Sequence, residues 1–361
     1  MKIGVLGNGQ LAQMMALAGI SLGHEFVFLD ENPDGVVKNL GRNIITKAGD
    51  LPQLMEFADS VDVITVEKEH IPRSILEHLN ETGKLMPGSK AVFVSQDRLM
   101  EKQFLQSIDI ALPRYYEINS LEQLQQSASD HGDTLILKTR REGYDGKGQF
   151  VLKNAQQCED AWEQLNTGQL VAEQRINFTR EVSMICARNA NGDTCFYPIA
   201  ENIHQNGILA LSTVKVNDPM QAKAEDYARR ILEGLDYVGV LGCEFFEVDG
   251  ELLANEIAPR VHNSGHWTMD GAYTSQFENH VRAILNLPLG LTDAHSDCVM
   301  FNLIGEIPDA NSVLKIPGTN LHAYGKQARP GRKLGHINLC ENNAQDMQMS
   351  IAQLEKLISI V

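Results

Sequence analysis

A glycine-rich segment flanked by basic residues is the first candidate for chemistry in this chain. The apolar residues 135–137 predict a strand that ends on Lys138, and three glycines follow between positions 143 and 148. Glycines allow the backbone to fold tightly over a ligand, and residues 149–151 predict the returning strand. Backbone amides in such a hairpin, with a lysine at its base, could clamp a phosphate. A flexible basic surface hairpin explains the same residues equally well, and the Gly-Lys-Ser/Thr sequence of a Walker A motif is absent.

Two glutamates are predicted to meet across a second hairpin. The dipeptide Asp249-Gly250 is a strong signal for a two-residue turn between strands. The register of such a turn places Glu244 opposite Asn255 or Glu256, within contact distance. Carboxylates buried among apolar neighbours repel each other, and a hard cation, most simply Mg²⁺ bridging nucleotide phosphates, would relieve the repulsion. The alternative is a solvated edge with outward-pointing charges, which the apolar neighbours disfavour.

A loop dense in hydrogen-bond donors follows directly after this hairpin. Residues 258–267 include Arg260, His262, Asn263 and His266. The two histidines have the spacing of zinc ligands on a helix, but the Asn-Ser-Gly sequence between them is a poor helix former. Anion recognition is therefore the better interpretation of this loop.

A basic segment near the carboxyl end stands out because the whole chain has a net charge of −16. Residues 329–336 contain Arg332 and Lys333 among prolines and glycines. A charge run is usually a solvated loop. Here the proline and glycines make the segment compact, so a phosphate pocket is a competing interpretation.

The amino-terminal glycines have the spacing of a dinucleotide-binding turn. Residues 2–6 predict a strand, Gly7, Gly9 and Ala12 open a helix, and Asp30 ends the next strand. This pattern alone would favour an NAD(P)-dependent oxidoreductase. The helix N-terminus could equally accept the phosphate of a mononucleotide.

The elements that must position these residues indicate an α/β part followed by an α+β part. The alternation of strands and helices up to about residue 90 predicts a small doubly wound domain. Antiparallel hairpins mixed with helices follow it. We therefore expect an amino-terminal domain over residues 1–95, a central domain over 96–290 with a mobile lid at about 110–175, and a carboxyl-terminal domain over 291–361.

Composition and charge restrict the class of protein. The chain has 361 residues, 43% of them hydrophobic and 22% charged, as in an ordinary globular protein. The acidic balance argues against non-specific binding of nucleic acid, which needs a basic face. The six cysteines form no Cys-x-x-Cys pair, and no signal peptide or membrane span is evident. We expect a cytoplasmic protein that binds neither nucleic acid nor membranes.

Taken together, the motifs resemble the ATP-grasp superfamily and, within it, the family of N5-carboxyaminoimidazole ribonucleotide synthases. The motifs that carry the resemblance are GNGQL at 7–11, QDR at 96–98, GYDGKGQ at 143–149, EQ-x-INF-x-x-E at 173–181, NIHQ-x-GI at 202–208, NE-x-APR-x-HNSGHWT at 255–268 and RPGRKLGH at 329–336. The resemblance implies an ATP-grasp fold with an amino-terminal biotin-carboxylase-like (pre-ATP-grasp) domain and a small carboxyl-terminal domain. It also implies a homodimer.

The resemblance implies an ATP site between two antiparallel sheets, with basic residues on the phosphates, a glycine flap, an adenine hinge and a ribose carboxylate. The residues implied in ATP binding are Arg98, Lys138, Gly143, Tyr144, Asp145, Gly146, Lys147, Gly148, Gln149, Glu173, Gln174, Arg175, Ile176, Glu181, His204, Asn255 and Glu256. The implied Mg²⁺ ligands are Glu244 and Glu256.

The second substrate implied by the resemblance is 5-aminoimidazole ribonucleotide. The residues implied in its binding are Gly9, Gln10, Leu11, Glu69, Tyr144, Arg332 and Lys333. Whether Glu67 or Glu69 faces this substrate is left open, because Lys68 departs from the family pattern. The implied catalytic residues are Asp145, Arg260, His262, Asn263 and Lys333.

The implied reaction is the ATP-dependent carboxylation of this substrate with bicarbonate, through carboxyphosphate, in purine biosynthesis. Another ATP-grasp carboxylate-amine ligase is an alternative, against which the HNSGHWT motif argues. The NAD(P)-dependent oxidoreductase and a non-catalytic nucleotide-binding regulator are alternatives from other classes. Neither explains a paired-carboxylate site beside a loop of anion-binding residues.

Overall fold

A computed structural model of the chain describes residues 1–47, 49–131, 134–143, 148–165 and 168–358. The strands in this part are β1 (Lys2–Leu6), β2 (Glu25–Asp30), β3 (Arg42–Ile45), β4 (Val63–Val66), β5 (Tyr115–Ile118), β6 (Leu135–Thr139), β7 (Gln149–Leu152), β8 (Leu170–Gln174), β9 (Arg180–Arg188), β10 (Thr194–Phe196), β11 (Ala200–Gln205), β12 (Ile208–Val214), β13 (Gly239–Val248), β14 (Glu251–Ala258), β15 (Asp297–Ile304), β16 (Thr319–Ala323) and β17 (Lys333–Glu341). The helices are α1 (Gln10–Ser21), α2 (Leu51–Asp59), α3 (Arg73–Glu81), α4 (Ser89–Ser95), α5 (Arg98–Ser107), α6 (Leu121–His131), α7 (Cys158–Leu165), α8 (Gln221–Gly234), α9 (Thr268–Gly271), α10 (Gln276–Ile284), α11 (Ala310–Leu314) and α12 (Ala344–Leu354).

The amino-terminal sheet is parallel and has the strand order β3-β2-β1-β4. Four of the five residues of β1 and all of β4 are buried, because helices must cover both faces of a parallel sheet. This confirms the predicted alternation of strands and helices. Strand β3 was not predicted, because its four residues are at most half-buried and include no long apolar run.

Side-chain caps fix where several helices begin. The side chains of Asp50, Asp97, Ser275, Asp309 and Asn343 each accept a hydrogen bond from a backbone amide in the first turn of the helix that follows. Such caps satisfy amides that have no partner inside the helix. The start of α5, which carries Arg98, is therefore set by the residue before it.

A separate antiparallel sheet has the strand order β5-β8-β6-β7. Helices α6 and α7 pack on it through a small apolar cluster that includes Leu124, Leu137, Leu152 and Ala161. Strands β6 and β7 pair from Leu135 with Leu152 to Lys138 with Gln149, which confirms the predicted hairpin on either side of the glycine segment.

The largest sheet has the strand order β14-β13-β9-β11-β12-β15-β17-β16, with β10 paired to β9. Strands β15 to β17 come from the carboxyl-terminal segment, and they join the central sheet through the pairing of β12 with β15. The carboxyl-terminal segment therefore extends the central sheet rather than forming a separate one. None of the described helices is both long enough and apolar enough to cross a bilayer.

Candidate active site

The chain passes from the smaller antiparallel sheet to the central sheet at the predicted adenine hinge. Strand β8 ends at Gln174 and β9 begins at Arg180 in the other sheet. The amides of Gln174 and Arg175 donate to the carbonyls of Arg114 and Thr134, at 2.9 and 3.0 Å. The hinge is thus held from both sides by backbone hydrogen bonds, with Ile176 half-buried beyond it.

Glu173, at the end of β8, lies between two lysines. Its Oε2 is 3.1 Å from the Nζ of Lys138, and its Oε1 is 3.3 Å from the Nζ of Lys102. Burial alone would raise the pKa of Glu173, but the charges of the two lysines outweigh it and hold this pKa below its ordinary value. The carboxylate is therefore ionised, and the three side chains together carry one positive charge.

Arg98 holds the start of the glycine segment, and Thr139 holds its far end. Its guanidinium donates to the carbonyls of Thr139 and Gly143, at 2.9 and 2.6 Å. The amide of Thr139 donates to the carbonyl of Gly148 at 2.8 Å, and Gly148 has a φ of +66°, which favours glycine. The remaining predicted flap residues lie outside the described residues: Tyr144, Asp145, Gly146 and Lys147.

The strand before the flap is tied to the start of α5 by a buried ion pair. Arg140 donates to both carboxylate oxygens of Asp97, at 3.0 and 2.8 Å, and Asp97 is 2% exposed. Because Asp97 also caps α5, one side chain fixes the helix that carries Arg98 and the strand that carries Lys138. This contact was not predicted from the sequence.

Glu181 and His204 form a second pair on the neighbouring strands β9 and β11, with a hydrogen bond between Glu181 Oε2 and His204 Nδ1. Burial alone would lower the pKa of His204, but this hydrogen bond and the charges of Glu244 and Glu181 raise it above its ordinary value. A protonated His204 would place a positive charge beside the predicted metal ligands.

The predicted convergence of the two glutamates is confirmed. Glu244 lies directly opposite Glu256 in the pairing of β13 with β14, and the next pair is Phe245 with Ala254, so Asn255 forms a β-bulge. Glu244 is 15% exposed, and burial together with the charge of Glu256 raises its pKa to about 7. Glu256 itself is exposed, contrary to the expected burial, because β14 is the edge strand of the sheet.

The donor atoms at this hairpin fit a hard cation. Glu244 and Glu256 supply carboxylate oxygens, and Asn255 Oδ1 is buried without a hydrogen-bond partner among the described residues. No group of three or more His, Cys, Asp or Glu side chains within the described ranges is arranged to hold a metal by itself. Mg²⁺ commonly takes one or two carboxylates and completes its shell with phosphates and water, which agrees with this arrangement.

The donor loop after β14 contacts both the segment that follows β4 and the glutamate hairpin. Arg260 Nη2 lies 2.6 Å from Glu69 Oε1, and His262 Nε2 lies 3.4 Å from Glu244 Oε1. Burial, followed by the charges of Arg260 and Lys333, holds the pKa of His262 well below its ordinary value. His262 is therefore neutral, and its ring is held by a 2.9 Å contact between Nδ1 and the hydroxyl of Ser264.

Glu67 occupies the N-terminus of α1, where the dinucleotide motif had predicted an external anion. Its carboxylate accepts hydrogen bonds from the amides of Gly9 and Leu11, at 2.7 and 3.0 Å. A Cβ on Gly7 or Gly9 would lie about 2.5 Å from this carboxylate, so both positions require glycine. Glu69, two residues on, turns instead toward Arg260.

Lys326, three residues before the basic segment 329–336, reaches the same end of α1. Lys326 donates a hydrogen bond to the side chain of Gln10, and Arg332 donates to the carbonyl of Gln327 at 3.2 Å. Burial and the charge of Arg332 lower the pKa of Lys326 to about 8. Gln10 and Arg332, two of the predicted substrate residues, thus both lie near Lys326.

The sequence did not predict Glu101, Lys102 or Lys326 at this site, and it left open whether Glu67 faces the substrate rather than predicting its cap on α1. Glu101 accepts a hydrogen bond from the amide of Ile257 at 2.8 Å, and burial together with the charge of Glu256 raises its pKa to about 8. Only one feature could have pointed to Glu101 and Lys102: they are charged residues at buried positions of an amphipathic helix. No local pattern marks Glu67 or Lys326, since their partners are distant in sequence.

Three family models match successive parts of the chain. The ribonucleotide synthetase preATP-grasp domain matches residues 1–96, the ATP-grasp domain matches 103–277, and the phosphoribosylaminoimidazole carboxylase C-terminal domain matches 298–350. These are the three parts that the sequence motifs implied.

Relatives align with the chain over nearly its whole length. The N5-carboxyaminoimidazole ribonucleotide synthase of Pseudomonas aeruginosa is 44% identical over 358 residues, which cover 99% of each chain. The crystal structure of the synthetase from Thermus thermophilus has a TM-score of 0.94 at 43% identity and covers 99% of this chain and 98% of that one. The synthase from Aspergillus clavatus in complex with ADP and 5-aminoimidazole ribonucleotide has a TM-score of 0.90 at 28% identity, with 99% and 98% covered.

These relatives span all three parts, and the two solved structures share the fold of this chain. The dinucleotide motif, by contrast, is occupied by the carboxylate of Glu67. The chain therefore belongs to the N5-carboxyaminoimidazole ribonucleotide synthase family of ATP-grasp ligases.

Proposed function

We propose that this chain catalyses the ATP-dependent carboxylation of 5-aminoimidazole ribonucleotide with bicarbonate, giving N5-carboxyaminoimidazole ribonucleotide, ADP and phosphate. The observation that carries the proposal is the position of the donor loop. Arg260 pairs with Glu69 of the amino-terminal part, and His262 lies beside Glu244 of the glutamate hairpin. An anion held by this loop would lie between a nucleotide and a second substrate.

In the first step, bicarbonate attacks the γ-phosphoryl group of ATP, and ADP leaves. Catalysis of phosphoryl transfer is mainly positioning and charge stabilisation. Lys138 contacts the phosphates, while Arg98 holds the backbone carbonyls of Thr139 and Gly143, where the flap begins. Glu244 and Glu256 would hold Mg²⁺, which would neutralise phosphate charge when bound.

The labile product of this step, carboxyphosphate, must be kept from water until it reacts. Arg260 and Asn263 are suited to hold it, because Arg260 Nε and Asn263 Oδ1 are buried and lack hydrogen-bond partners among the described residues. Asn263 can turn its amide so that the NH₂ group donates to the anion. Neutral His262 can donate one hydrogen bond from Nε2 without adding charge.

In the second step, the bond between the carboxyl carbon and the phosphate oxygen of carboxyphosphate breaks, which releases phosphate and leaves CO₂ beside the exocyclic amine of the ribonucleotide. The amine nitrogen bonds the carbon of CO₂ and loses a proton, and proximity supplies most of the rate. Arg332 and Lys333 bind the substrate phosphate, and Gly9, Gln10 and Leu11 line its other side. Asp145 orients the amine or accepts its proton. Tyr144 contacts the same substrate from the flap.

The direct test is phosphate release from ATP with bicarbonate, measured with and without 5-aminoimidazole ribonucleotide. We expect release to depend on all three substrates and on Mg²⁺. Release that is stimulated by a different amine substrate, and not by this ribonucleotide, would instead favour another ATP-grasp carboxylate-amine ligase.

We further propose that the enzyme is a cytoplasmic homodimer, as the family resemblance implies. Light scattering coupled to gel filtration would test the oligomeric state. A mass near 80 kDa, twice the 40.0 kDa of one chain, is the expected result.

A further inference from the structure

Lys102 is a buried lysine next to the proposed ATP site with no assigned role. It lies on α5, four residues after Arg98, and its side chain is 1% exposed. Its Nζ lies 3.3 Å from Glu173 Oε1, the only ion pair that Lys102 makes within the described part of the chain. A buried ammonium with a single partner is unfavourable unless that partner requires it.

The partner, Glu173, has two lysines for one carboxylate. Lys138 lies 3.1 Å from its Oε2, but Lys138 is 16% exposed, whereas Lys102 is 1% exposed. Lys138 stands at the end of β6, where the flap begins, so it can turn toward a bound nucleotide. Lys102 is fixed in a helix that Asp97 caps and that Glu101 ties to β14.

We propose that Lys102 is a positioning residue: it remains on Glu173 as the permanent counterion and so allows Lys138 to leave for the ATP phosphates. The inference rests on the proposed contact between Lys138 and phosphate. A carboxylate buried like Glu173 is strongly unfavourable without a cation. With two lysines present, Lys138 can move to the phosphates while Lys102 still compensates the charge of Glu173.

Removing the fixed lysine should therefore weaken ATP binding through Lys138. In Lys102→Met, Lys138 is the only counterion of Glu173 among the residues that the structure describes, and its departure would leave a buried charge unpaired. We expect the Kd of a non-hydrolysable ATP analogue to rise at least about tenfold, and the KM for ATP with it, while the KM for 5-aminoimidazole ribonucleotide stays within about twofold. Lys102→Arg, which keeps the charge, should bind the analogue within about threefold of the wild type.

A double-mutant cycle separates this role from a merely structural one. In a Glu173→Gln background, Lys138 is no longer held by a charge, so adding Lys102→Met should change the analogue Kd by less than about twofold. If Lys102 only supports the packing of α5, the two substitutions should act independently, and the effect of Lys102→Met should be as large in both backgrounds. That additive outcome, or an unchanged Kd in the single variant, would overturn the proposal.

Two further variants distinguish a failure of this inference from a failure of the proposed function or of folding. Lys138→Met tests the proposed function itself: an unchanged analogue Kd there would remove Lys138 from the phosphate site, whereas a weakened Kd combined with a silent Lys102→Met refutes only the present inference. If Lys102→Met does not fold, Lys102→Gln takes its place in the cycle, because glutamine is polar like lysine but carries no charge. The same two outcomes then decide the proposal.

Discussion

The carboxylate of Glu67 accepts a hydrogen bond from the amide of Gly9 at 2.7 Å, across 58 positions of sequence. Helix N-termini attract anions, and here the protein supplies the anion itself. The position that a pyrophosphate takes in a dinucleotide-binding turn is therefore filled. The glycines remain necessary because a Cβ at either position would collide with the Glu67 side chain.

Glu67→Gln should destabilise the amino-terminal sheet. The carboxylate accepts from two amides, and an amide NH₂ group would face one of those donors. We expect the free energy of unfolding to fall by about 1–3 kcal/mol in urea denaturation. The matched control is Glu25→Gln at an exposed glutamate, where the change should stay below about 0.5 kcal/mol. Equal effects in the two variants would contradict the capping role.

Asp97→Asn should show the strength of the ion pair that ties the flap strand to α5. Asparagine keeps the helix cap but loses the charge that Arg140 pairs with. We expect a loss of about 3 kcal/mol, because Arg140 would be left without its main buried partner. Glu56→Gln, in the exposed pair with Arg42, is the control and should cost less than about 1 kcal/mol. A loss at Asp97 no larger than at Glu56 would show that the pair is not strengthened by burial.

Glu256→Gln should abolish turnover and leave the fold intact. It removes one of the two carboxylates that face each other across the hairpin, so the thermal stability without Mg²⁺ should hold or rise. We expect kcat to fall at least about a hundredfold. Glu251→Gln, at the exposed start of the same strand, should retain activity. Full Mg²⁺-dependent activity of Glu256→Gln would exclude this residue as a metal ligand.

Lys333→Ala should change the KM for one substrate and leave the KM for the other nearly unchanged. Its KM for 5-aminoimidazole ribonucleotide should rise by one to two orders of magnitude, since a charged contact to phosphate contributes about 1.5–3 kcal/mol. The KM for ATP should change little. Lys356→Ala, at an exposed lysine after α12, serves as the control in the same steady-state assays. An effect mainly on ATP would place Lys333 at the nucleotide instead.

The stability of the protein should depend on the buried His280 in mildly acidic solution. His280 accepts from the amide of Val240 at 3.0 Å and lies 2.8 Å from the Thr65 hydroxyl, so it joins β13 to β4 in its neutral form. Burial lowers the pKa of His280 to about 4, below the value of an unfolded chain. The unfolded state therefore binds a proton first, and the stability from neutral His280 is lost as the pH falls from about 6.5 toward 4.

Between pH 7 and pH 5 this one histidine should account for about 2 kcal/mol of lost stability. In urea titrations, the free energy of unfolding of His280→Gln should therefore fall by about 2 kcal/mol less than that of the wild type between pH 7 and pH 5. His295→Gln, at an exposed histidine, is the control and should follow the wild-type curve. If the free energy of unfolding has the same dependence on pH in His280→Gln and in the wild type, His280 does not bind a proton on unfolding.

Short-range patterns were sufficient to predict several parts of the fold and site. The two-residue turn at Asp249-Gly250 predicted that Glu244 lies opposite Asn255 or Glu256, because a tight turn fixes the register of the strands beside it. The β-bulge at Asn255 makes Glu256 the partner. The glycine segment between two strand-like runs predicted the hairpin of β6 and β7. Motif resemblance supplied the family and the remaining site residues, whose roles stay predictions.

Other relationships were decided only by the tertiary structure. Lys326 meets Gln10 across 316 positions, Glu67 fills the end of a helix that a motif assigned to a ligand, and the carboxyl-terminal strands join the central sheet. Glu256 is exposed because its strand lies at the sheet edge, which strand patterning does not reveal. Local sequence sets periodicity and turns. Which surfaces pack together, and so which buried charges find partners, depends on contacts between segments that are far apart in the chain.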